Sequence, residues 1–486
     1  MFQGRFKADQ LLEEEGARNT EGLSPSETRK LIRDLGVKCP ECGGRLGEPT
    51  YFTTMFKTVI GPYAGNEGFF RPETAQGMFV EFKRVHLVLR EMLPLGIAQI
   101  GRGFRNEISP RQGPIRLREF DMMELELFYD PKKPKCPFLD EVKDTEINIL
   151  PEREVLRGGE VIKVTISEAL SRKYILSDWL AYFMGLAQEF ISKLGVPADK
   201  QRFREKLPGE RAHYSRQTFD QEVLLSKWGW VEVSGHADRF NYDLSSHMKV
   251  SKQDLTAKRE LKKPVIVEGR EVKLRLEDLK NAFKKNFKRL MRLLSKKSSE
   301  ELIEELNEKG YVEINGVKIN SKFFDVIVKR KKVRFERFTP YVAEPSFGLD
   351  RACYATLEYA YRRREGRNIL SLPPYIAPIE TAVFPIVSKD KFIKPAEDLR
   401  DDLREAGFKV IFEFKESIGK RYARVDEIGV PVAFTVDGQT LIDNTVTARD
   451  RDTWRQIRIK KNRCVELVNS LIKTGSFNKA LEKLQI

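Results

Sequence analysis

Hydrophobic and polar residues follow helical spacing in some segments of the chain and strand spacing in others, which predicts a mixed α and β protein. The segment 24–36 begins with serines, has leucine and isoleucine residues on one helical face and ends at a glycine, so we expect a capped helix there. Apolar residues at helical spacing predict two further helices over 76–93 and 171–195. Between them, the alternation over 122–128 predicts a strand with charged side chains on one face.

The pattern changes in the second half of the chain. Residues 251–300 contain 16 Lys or Arg and 7 Asp or Glu, and the pattern over 280–297 predicts an amphipathic helix. This segment is either a solvated helix that packs by one face or an insertion that binds phosphates. The segment 344–364 predicts a turn that enters a helix, and a proline-rich linker follows at 372–380. Strand and helix patterns then alternate, which predicts a small α/β domain with a partly parallel sheet.

Composition narrows the class of protein. The 486 residues are 41% hydrophobic and 10% aromatic, which excludes a disordered chain. No apolar run approaches ~18 residues, and the N-terminus lacks the apolar region of a secretory signal, so we expect neither a membrane span nor export. Five cysteines do not indicate a disulfide scaffold, which favours the cytoplasm. The net charge of +15 fits a nucleic-acid partner or, equally, a solubilising surface.

Candidate chemistry is concentrated in residues 104–128. The chain has neither the GxxxxGK[ST] P-loop nor the HExxH zinc motif. Arg105 and Glu107 share a face of one predicted strand, and a returning strand carries Arg116 and Phe120. Because a guanidinium group can hold a phosphate and an aromatic ring can stack on a base, this hairpin is a plausible nucleotide platform. A salt-bridged hairpin on an exposed sheet face explains the same pattern.

Several strings together resemble one family. FRNE followed by RLREF resembles motif 2 of class II aminoacyl-tRNA synthetases (104–120), and EPSFGLDR begins a segment that resembles their motif 3 (344–361). The more specific strings resemble glycyl-tRNA synthetases of the archaeal/eukaryotic type: RPETAQGMFVEFKR, REFDMMELELF, RAHYSRQTFDQE and WGWVEVSGHADRFNYDLSSH. The end of the chain, from PYIAPIETAVFPIV, resembles that family's anticodon-binding domain.

The resemblance implies an α+β fold in which an antiparallel sheet is flanked by helices and interrupted by inserted subdomains. The catalytic domain would span 1–372 and a C-terminal α/β anticodon-binding domain 373–486. The insertions would lie near 15–50, 130–205 and 250–335.

The resemblance also assigns an ATP site. Arg105 would hold the α-phosphate and the amino-acid carboxylate, Arg351 the adenine or the γ-phosphate, and Phe120 would stack on adenine. Glu107 would accept from the adenine amino group, and Glu232 would support Mg²⁺ or ATP. Arg105 and Arg351 are thus the expected catalytic residues. The full implied ATP-binding set is Arg105, Asn106, Glu107, Ile115, Arg116, Leu117, Arg118, Glu119, Phe120, Glu232, Val233, Gly348, Leu349, Asp350 and Arg351.

The implied amino-acid pocket consists of Glu73, Phe120, Glu124, Arg239, Glu344, Pro345, Ser346 and Gly348. Its three glutamates would surround an ammonium group, with Ser346 beside it and Arg239 on the carboxylate. Carboxylates bind a cation strongly once water is excluded, and their bulk would exclude every amino acid larger than glycine. Taken one at a time, each of these glutamates fits a surface ion pair as well.

The function implied by the resemblance is an ATP- and Mg²⁺-dependent ligase that forms glycyl-adenylate and transfers glycine to tRNA(Gly). Two alternatives stay open: a non-catalytic nucleic-acid-binding paralogue, and a class II synthetase for another amino acid such as proline. Cys39 and Cys42 form one CxxC, which would be half of a zinc site, since structural zinc takes four ligands.

The sequence departs from the family at its beginning. Class II enzymes carry motif 1, which builds the dimer interface, ahead of the segment that FKADQLL resembles, and here that segment begins at Phe6. The resemblance implies a dimer, and we expect a separate N-terminal fragment to supply motif 1. A truncated reading frame or a degenerate paralogue would account for the same departure.

Overall fold

The computed structural model describes residues 8, 11–12, 15–17, 23–40, 42–62, 65–107, 113–211 and 214–486, without the side chains of Val267 and Lys331. The chain divides into two compact units, Met1–Leu255 with Pro340–Ile486 and Thr256–Thr339. Over the described ranges, no helix is long and apolar enough to cross a membrane.

The strands are, in chain order, β1 (Lys57–Ile60), β2 (Asn66–Phe69), β3 (Leu95–Phe104), β4 (Glu119–Tyr129), β5 (Glu146–Leu150), β6 (Ile162–Thr165), β7 (Gln201–Glu205), β8 (Gln217–Leu225), β9 (Gly229–Phe240), β10 (Ala257–Leu274), β11 (Tyr311–Ile314), β12 (Val317–Asn320), β13 (Phe324–Phe338), β14 (Tyr341–Gly348), β15 (Tyr361–Arg364), β16 (Arg367–Leu370), β17 (Thr381–Pro385), β18 (Val410–Phe412), β19 (Val432–Val436), β20 (Thr445–Asp450) and β21 (Gln456–Lys460).

The α-helices are α1 (Pro25–Asp34), α2 (Ala75–Val88), α3 (Glu152–Arg157), α4 (Ile166–Ser171), α5 (Asp178–Lys193), α6 (Tyr242–Ser251), α7 (Leu276–Phe283), α8 (Phe287–Leu294), α9 (Ser299–Lys309), α10 (Leu349–Ala360), α11 (Asp390–Glu405), α12 (Ile418–Glu427), α13 (Thr440–Asp443), α14 (Cys464–Thr474) and α15 (Phe477–Leu484).

The larger unit is built on an eight-stranded sheet in the order β3-β4-β14-β9-β8-β7-β5-β6. Every neighbouring pair is antiparallel except β5 and β7, which confirms the expected antiparallel α+β fold. The strand predicted over 122–128 lies within β4. The predicted helix at 24–36 is α1, where Ser24 and Glu27 form a reciprocal capping box.

Different helices cover the two faces of this sheet. On one face, Phe79 and Phe82 of α2 pack on Phe128 of β4. On the other face, α5 packs against a cluster that includes Phe203 and Phe347. Because side chains alternate along a strand, the even-numbered residues of β4 point to the α2 side.

Two predicted helices have different bounds in the structure. The helix expected over 76–93 is α2, which ends at Val88 because Arg90 and Glu91 have φ near +57°, and an α-helix does not continue through such residues. The helix expected over 171–195 is mainly α5, which begins where the Ser177 side chain accepts from the backbone N–H of Leu180.

The prediction of a turn at 344–348 is wrong, because these residues belong to β14, a central strand of the sheet. Pro345 lies in this strand opposite His236 of β9. A proline lacks the N–H that a central strand normally donates, so the sequence pattern indicated a turn instead. The following helix, α10, is confirmed.

The unit Thr256–Thr339 is a long antiparallel ribbon of β10 and β13 with its own small core. The ribbon pairs Ala257 with Phe338 at one end. The amphipathic helix expected over 280–297 is interrupted at Lys284, whose φ of 33° ends α7, so the segment forms α7 and α8. Its predicted apolar face is confirmed, since Leu290 and Leu294 are buried.

The C-terminal part of the larger unit contains a second sheet in the order β18-β17-β19-β20-β21. Strand β17 runs parallel to β18 and β19, and the remaining pairs are antiparallel, which confirms the predicted partly parallel α/β sheet. The single helix expected from about residue 462 is α14 and α15, separated at Gly475, which has φ +68° and favours a residue without a side chain.

Candidate active site

A cavity of about 370 Å³ opens on the α2 side of the main sheet, over β4, β14, β9 and β8. It brings together most of the residues selected from the sequence: Glu73, Arg105, Glu107, Ile115, Arg116, Leu117, Phe120, Glu124, Glu232, Val233, Glu344, Ser346, Gly348, Asp350 and Arg351. Residues predicted for the nucleotide and for the amino acid therefore share one continuous space.

Six selected residues do not line this cavity: Asn106, Arg118, Glu119, Arg239, Pro345 and Leu349. Asn106 and Arg118 donate to backbone carbonyls nearby, Arg118 to that of Glu107 at 3.1 Å. Glu119 forms an exposed ion pair with Arg102. Direct substrate contact by these six residues stays a prediction.

Arg105 and Glu107 lie just after β3 ends and not in the strand predicted for them, but Arg105 is still next to the aromatic ring of Phe120 in β4. The Arg105 guanidinium carbon lies 5.4 Å from the centre of the Phe120 ring, and its Nε donates to the Pro72 carbonyl at 3.2 Å. Gly103 lies opposite Phe120, and a Cβ atom there would be 2.9 Å from the ring. A glycine therefore lets the ring lie against the neighbouring backbone.

Arg351, in the first turn of α10, joins two walls of the cavity. It donates to the Ile115 carbonyl at 3.0 Å, and to the Glu232 carbonyl and carboxylate at 2.9 and 3.1 Å. Burial works against ionisation of Glu232, but the charges of Arg351, Lys206 and Arg105 outweigh it and lower its pKa. Glu232 is thus ionised, and the neighbouring side chains of Arg351, Lys206 and Arg105 are positively charged.

Asp220 of β8 lies near Glu232 and was not selected from the sequence. It is buried and forms an ion pair with Lys206 at 3.2 Å. Burial, followed by the charge of Glu232, raises the pKa of Asp220 well above its usual range. Asp220 and Glu232 thus place two acidic side chains among the cations Lys206, Arg105 and Arg351 on this wall of the cavity.

At the other end of the cavity, Glu124 holds together three elements. One carboxylate oxygen accepts from the Thr74 backbone N–H at 2.7 Å and also from the Thr74 hydroxyl, just before α2. The other oxygen accepts from the Ser346 hydroxyl at 3.0 Å. Glu124 is only 2% exposed, so its position is fixed by these partners.

Arg239 lies beneath this end of the cavity and is fully buried. Its Nε and Nη2 donate to the Asp243 carboxylate, both at 2.9 Å, and its Nη1 donates to Glu344 at 2.9 Å. The Glu73 carboxylate is 4.0 Å away, and the Tyr214 ring centre lies 3.9 Å from the guanidinium carbon. Three of its five N–H groups are therefore committed to protein carboxylates.

The acidic side chains around Arg239 outnumber it. Burial is the main cause that raises the pKa of Glu344 to about 7; Arg239 opposes this effect, while Glu124 and Glu73 add to it. Burial would lower the pKa of Arg239, but Glu344, Asp243 and Glu126 outweigh it and raise that pKa. The pocket thus contains more carboxyl groups than cations, and a bound cation would compensate their negative charge.

Sequence reasoning missed Asp243, although a signal was present. Asp243 is four residues after Arg239, a separation at which side chains meet on a helix. Arg239, however, lies in β9, and Phe240 with φ +57° turns the chain into α6, so no single periodic pattern covers both residues. Asp220 and Tyr214 belong to the strings that carry the resemblance, but nothing in their spacing marks them.

The structure gives no support for a metal at Cys39 and Cys42. Among the residues outside the masked stretches, no group of three or more His, Cys, Asp or Glu side chains could hold an ion. His213 and the loop 108–112 within motif 2 lie outside the described residues.

Residues 380–471 match the family described as an anticodon binding domain. The sequence as a whole is similar to curated proteins named glycine–tRNA ligase. It is 46% identical over 475 residues to that of Aeropyrum pernix, a match that covers 97% of this chain and 81% of the relative. It is 45% identical over 460 residues to that of Pyrococcus abyssi, covering 94% and 81%.

The fold is similar to solved structures of prolyl-tRNA synthetases. That from Giardia lamblia, in complex with prolyl-adenylate, aligns with a TM-score of 0.50 and 14% identity over 89% of this chain and 65% of that chain. That from Cryptosporidium parvum, with halofuginone and AMPPNP, aligns with a TM-score of 0.50 and 14% identity over 90% and 64%. This chain thus spans just under two thirds of those structures, and at such identity the likeness concerns the class II fold alone.

Proposed function

The chain belongs to the glycine–tRNA ligase family, and from that membership we propose which of its residues perform each part of the reaction. It is a ligase that attaches glycine to tRNA through a glycyl-adenylate. Relatives of 42–46% identity that are named for glycine favour this amino acid over proline, and favour a ligase over a non-catalytic paralogue.

The carboxylate pocket around Arg239 is the observation that carries the assignment of the glycine site. Glu73, Glu124 and Glu344 would surround the ammonium group, with the Ser346 hydroxyl beside it. Glu124 and Glu344 are buried, so little water screens their attraction for a cation. Arg239 keeps Glu344 in place through a 2.9 Å hydrogen bond, and its two remaining N–H groups would serve the glycine carboxylate.

The same pocket would exclude larger amino acids. Glu124 is fixed by Thr74 and Ser346, and Glu344 by Arg239, so neither can move aside for a side chain. A pocket whose walls cannot retreat rejects any substituent on the α-carbon by steric overlap. We therefore expect no separate editing step.

The other half of the cavity would bind ATP. Phe120 would stack on the adenine, with Glu107 accepting from its amino group. Arg105, held 5.4 Å from the Phe120 ring, would contact the α-phosphate, and Arg351 the opposite adenine face or the γ-phosphate. A guanidinium at the α-phosphate would stabilise the negative charge that develops during attack on phosphorus.

Glu232 and Asp220 are the residues that would hold Mg²⁺. They supply the oxygen ligands that Mg²⁺ prefers, and burial, followed by the charge of Glu232, raises the pKa of Asp220. Mg²⁺, when bound with ATP, neutralises charge on the phosphates. Proteins commonly hold it by one or two carboxylates plus the substrate phosphates.

In the first step, a glycine carboxylate oxygen attacks the α-phosphorus of ATP, and the bond to pyrophosphate breaks. Arg105 stabilises the charge on the phosphorus oxygens, while the glutamates hold the ammonium so that the carboxylate faces the phosphate. In the second step, a hydroxyl of the terminal tRNA adenosine attacks the glycyl carbonyl, and AMP leaves. The amino-acid carboxylate is itself the nucleophile, so no side chain is needed as a base.

The domain division at 372/373 would place tRNA recognition in the C-terminal part. Residues 380–471 match an anticodon binding domain, and Arg455, Arg458 and Lys460 are exposed there. Exposed cations of this kind fit unpaired anticodon bases and their phosphates. We also propose a cytoplasmic location, where tRNA is charged.

A dimer is the expected assembly, and one surface supports it. Strand β3 is an edge of the main sheet, and helix α2 beside it exposes Val80, Leu87 and Val88, each more than half accessible. Exposed apolar side chains next to a sheet edge are typical of an interface. Light scattering should give twice the mass of the 56.3 kDa chain, and a monomer at micromolar concentration would contradict the proposal.

Glycine-dependent exchange between ATP and pyrophosphate tests the function and the pocket together. The purified chain should catalyse exchange with glycine but not with alanine or proline. Glu124→Gln removes a charge from the ammonium site, and because charge-assisted hydrogen bonds contribute ~1.5–3 kcal/mol, kcat/KM for glycine should fall about 10- to 100-fold. Glu146→Gln, at an exposed glutamate of β5, is the matched control. Equal exchange by both variants would refute the assignment of Glu124.

A further inference from the structure

Glu126 lies beside the glycine pocket and has no part in the reaction described above. It is two residues from Glu124 on β4, so both side chains point to the α2 side of the sheet. Glu126 is fully buried, and within the described ranges neither of its carboxylate oxygens has a hydrogen-bond partner. A buried carboxyl group without partners is much less costly when it is protonated.

The strand register puts a second carboxyl group opposite Glu126. The ladder of β4 and β14 pairs Glu124 with Ser346 and Leu127 with Ala343, which places Glu344 opposite Glu126. Directly opposed residues on antiparallel strands have Cβ atoms about 4.5–5.5 Å apart. Carboxyl groups on two side chains whose Cβ atoms are this close resist being charged together, so they titrate as a pair.

Among the described residues, the only cation that acts on Glu126 is already bonded elsewhere. The charged groups that act on it are Glu124 from β4, Glu344 from β14, Arg239 from β9 and Asp243 from α6. Arg239 donates to Asp243 and Glu344. Helix α2, on the same face of the sheet, carries the buried His86, whose ring stacks on Phe82, and Glu73 before this helix acts on Glu344. Strand β3 places Ile97 opposite Glu126. Burial, followed by the charge of Glu344, raises the pKa of Glu126 well above its usual range.

We propose that Glu126 is a positioning residue that holds a proton in the free enzyme and releases it when the glycine ammonium enters the pocket. The ammonium adds one positive charge beside Glu344 and Glu124, which favours the charged form of the Glu126–Glu344 pair. The O–H bond of Glu126 breaks, the proton leaves to solvent, and no electron pair is exchanged with the substrate. This inference rests on the glycine site proposed above, because Glu126 acts through Glu344.

The consequence is a glycine affinity that depends on pH above neutrality. The first ionisation of the Glu126–Glu344 pair lies near pH 7, so the proton that glycine displaces above neutrality is the second proton of the pair, which we assign to Glu126. The glycine KM should therefore fall with rising pH in this range, by at most about tenfold per pH unit for one proton. The KM for ATP should stay constant, because the nucleotide half of the cavity does not contact Glu126.

The test compares wild type with Glu126→Gln, which keeps the shape of a protonated glutamate but cannot release a proton. ATP–pyrophosphate exchange at pH 7.5, 8.0 and 8.5 gives the KM for glycine and the kcat. We expect the glycine KM of wild type to fall and that of Glu126→Gln to stay level, with kcat little changed in both. Glu146→Gln should follow wild type. A variant profile parallel to that of wild type would overturn the proposal.

Proton counting on the wild type gives a result that does not depend on the folding of any variant. Calorimetric titration of wild type with glycine at pH 8, in two buffers of different ionisation enthalpy, should show release of a measurable fraction of one proton. Glu126→Met, an apolar replacement of similar size, should release none. Zero release by wild type would overturn the inference, whereas failure of the proposed function itself would appear as absence of glycine-dependent exchange at every pH.

Discussion

Replacing Glu344 by glutamine should remove a pH-dependent loss of stability. Glu344 is buried, and burial raises its pKa to about 7 from an ordinary 4.5. In the unfolded chain the same group ionises near its ordinary value. Between these two values the folded chain binds a proton that the unfolded chain has released, so stability falls as pH rises from about 4.5 through 7.

The magnitude follows from the two pKa values. One pKa unit corresponds to ~1.4 kcal/mol, so the difference between 4.5 and about 7 gives a loss of about 3 kcal/mol that is complete above pH 7. Glu344→Gln cannot ionise and should not show this loss. The unfolding free energy of the variant minus that of the wild type should therefore increase by about 3 kcal/mol as the pH is raised from 4.5 to 8.

Urea unfolding at a series of pH values between 4.5 and 8 would measure this difference. Tryptophan fluorescence is a suitable signal, because Trp179, Trp228 and Trp230 lie in or beside the main sheet. Glu146→Gln serves as the control for general effects of pH. If the difference in unfolding free energy between Glu344→Gln and wild type stays the same from pH 4.5 to 8, the reasoning about Glu344 is refuted.

Two further substitutions test other parts of the molecule. Gly103→Ala would place a Cβ 2.9 Å from the Phe120 ring and displace it, so loss of stacking worth ~0.5–1.5 kcal/mol should raise the KM for ATP about 2- to 10-fold in the exchange assay. Gly96→Ala on the same strand, with no atom nearer than 3.8 Å, is the control, and equal KM values would contradict the stacking role. Arg449→Met leaves Asp426 buried without its cation, so unfolding of the C-terminal sheet should require ~3–5 kcal/mol less free energy. Thermal unfolding measures this loss, and a change below about 1 kcal/mol would show that the pair contributes little.

The sequence was most informative where one periodic pattern belongs to one element. Helix α1, strand β4 and the partly parallel C-terminal sheet were predicted because their patterns are local. The error at 344–348 has a local cause too, since Pro345 suggests a turn and only the pairing with β4 and β9 makes this segment a strand. Helix ends were misplaced where single residues such as Arg90 adopt a positive φ that no pattern announces.

The candidate site shows the same limit. Motif resemblance selected Glu124, Glu344 and Arg239 one by one, and the structure places them in one cluster. The sequence could not show that Arg239 donates hydrogen bonds to Asp243. Nor could it show that the Glu126 carboxyl has no hydrogen-bond partner among the described residues. Both facts depend on strand register and burial, which bring together residues that are far apart along the chain.

The ribbon of the smaller unit has a consequence for how the family could gain or lose domains. Because Ala257 and Phe338 are paired, the two ends of the Thr256–Thr339 unit are separated by only about one strand spacing. A short turn could bridge that gap. An in-frame gene deletion between these positions would therefore leave the flanking strands and helices free to keep their structure. The unit has its own apolar core around Leu290 and Leu294. Because this core lies within the unit, the whole unit could be gained or lost between relatives as one inserted domain.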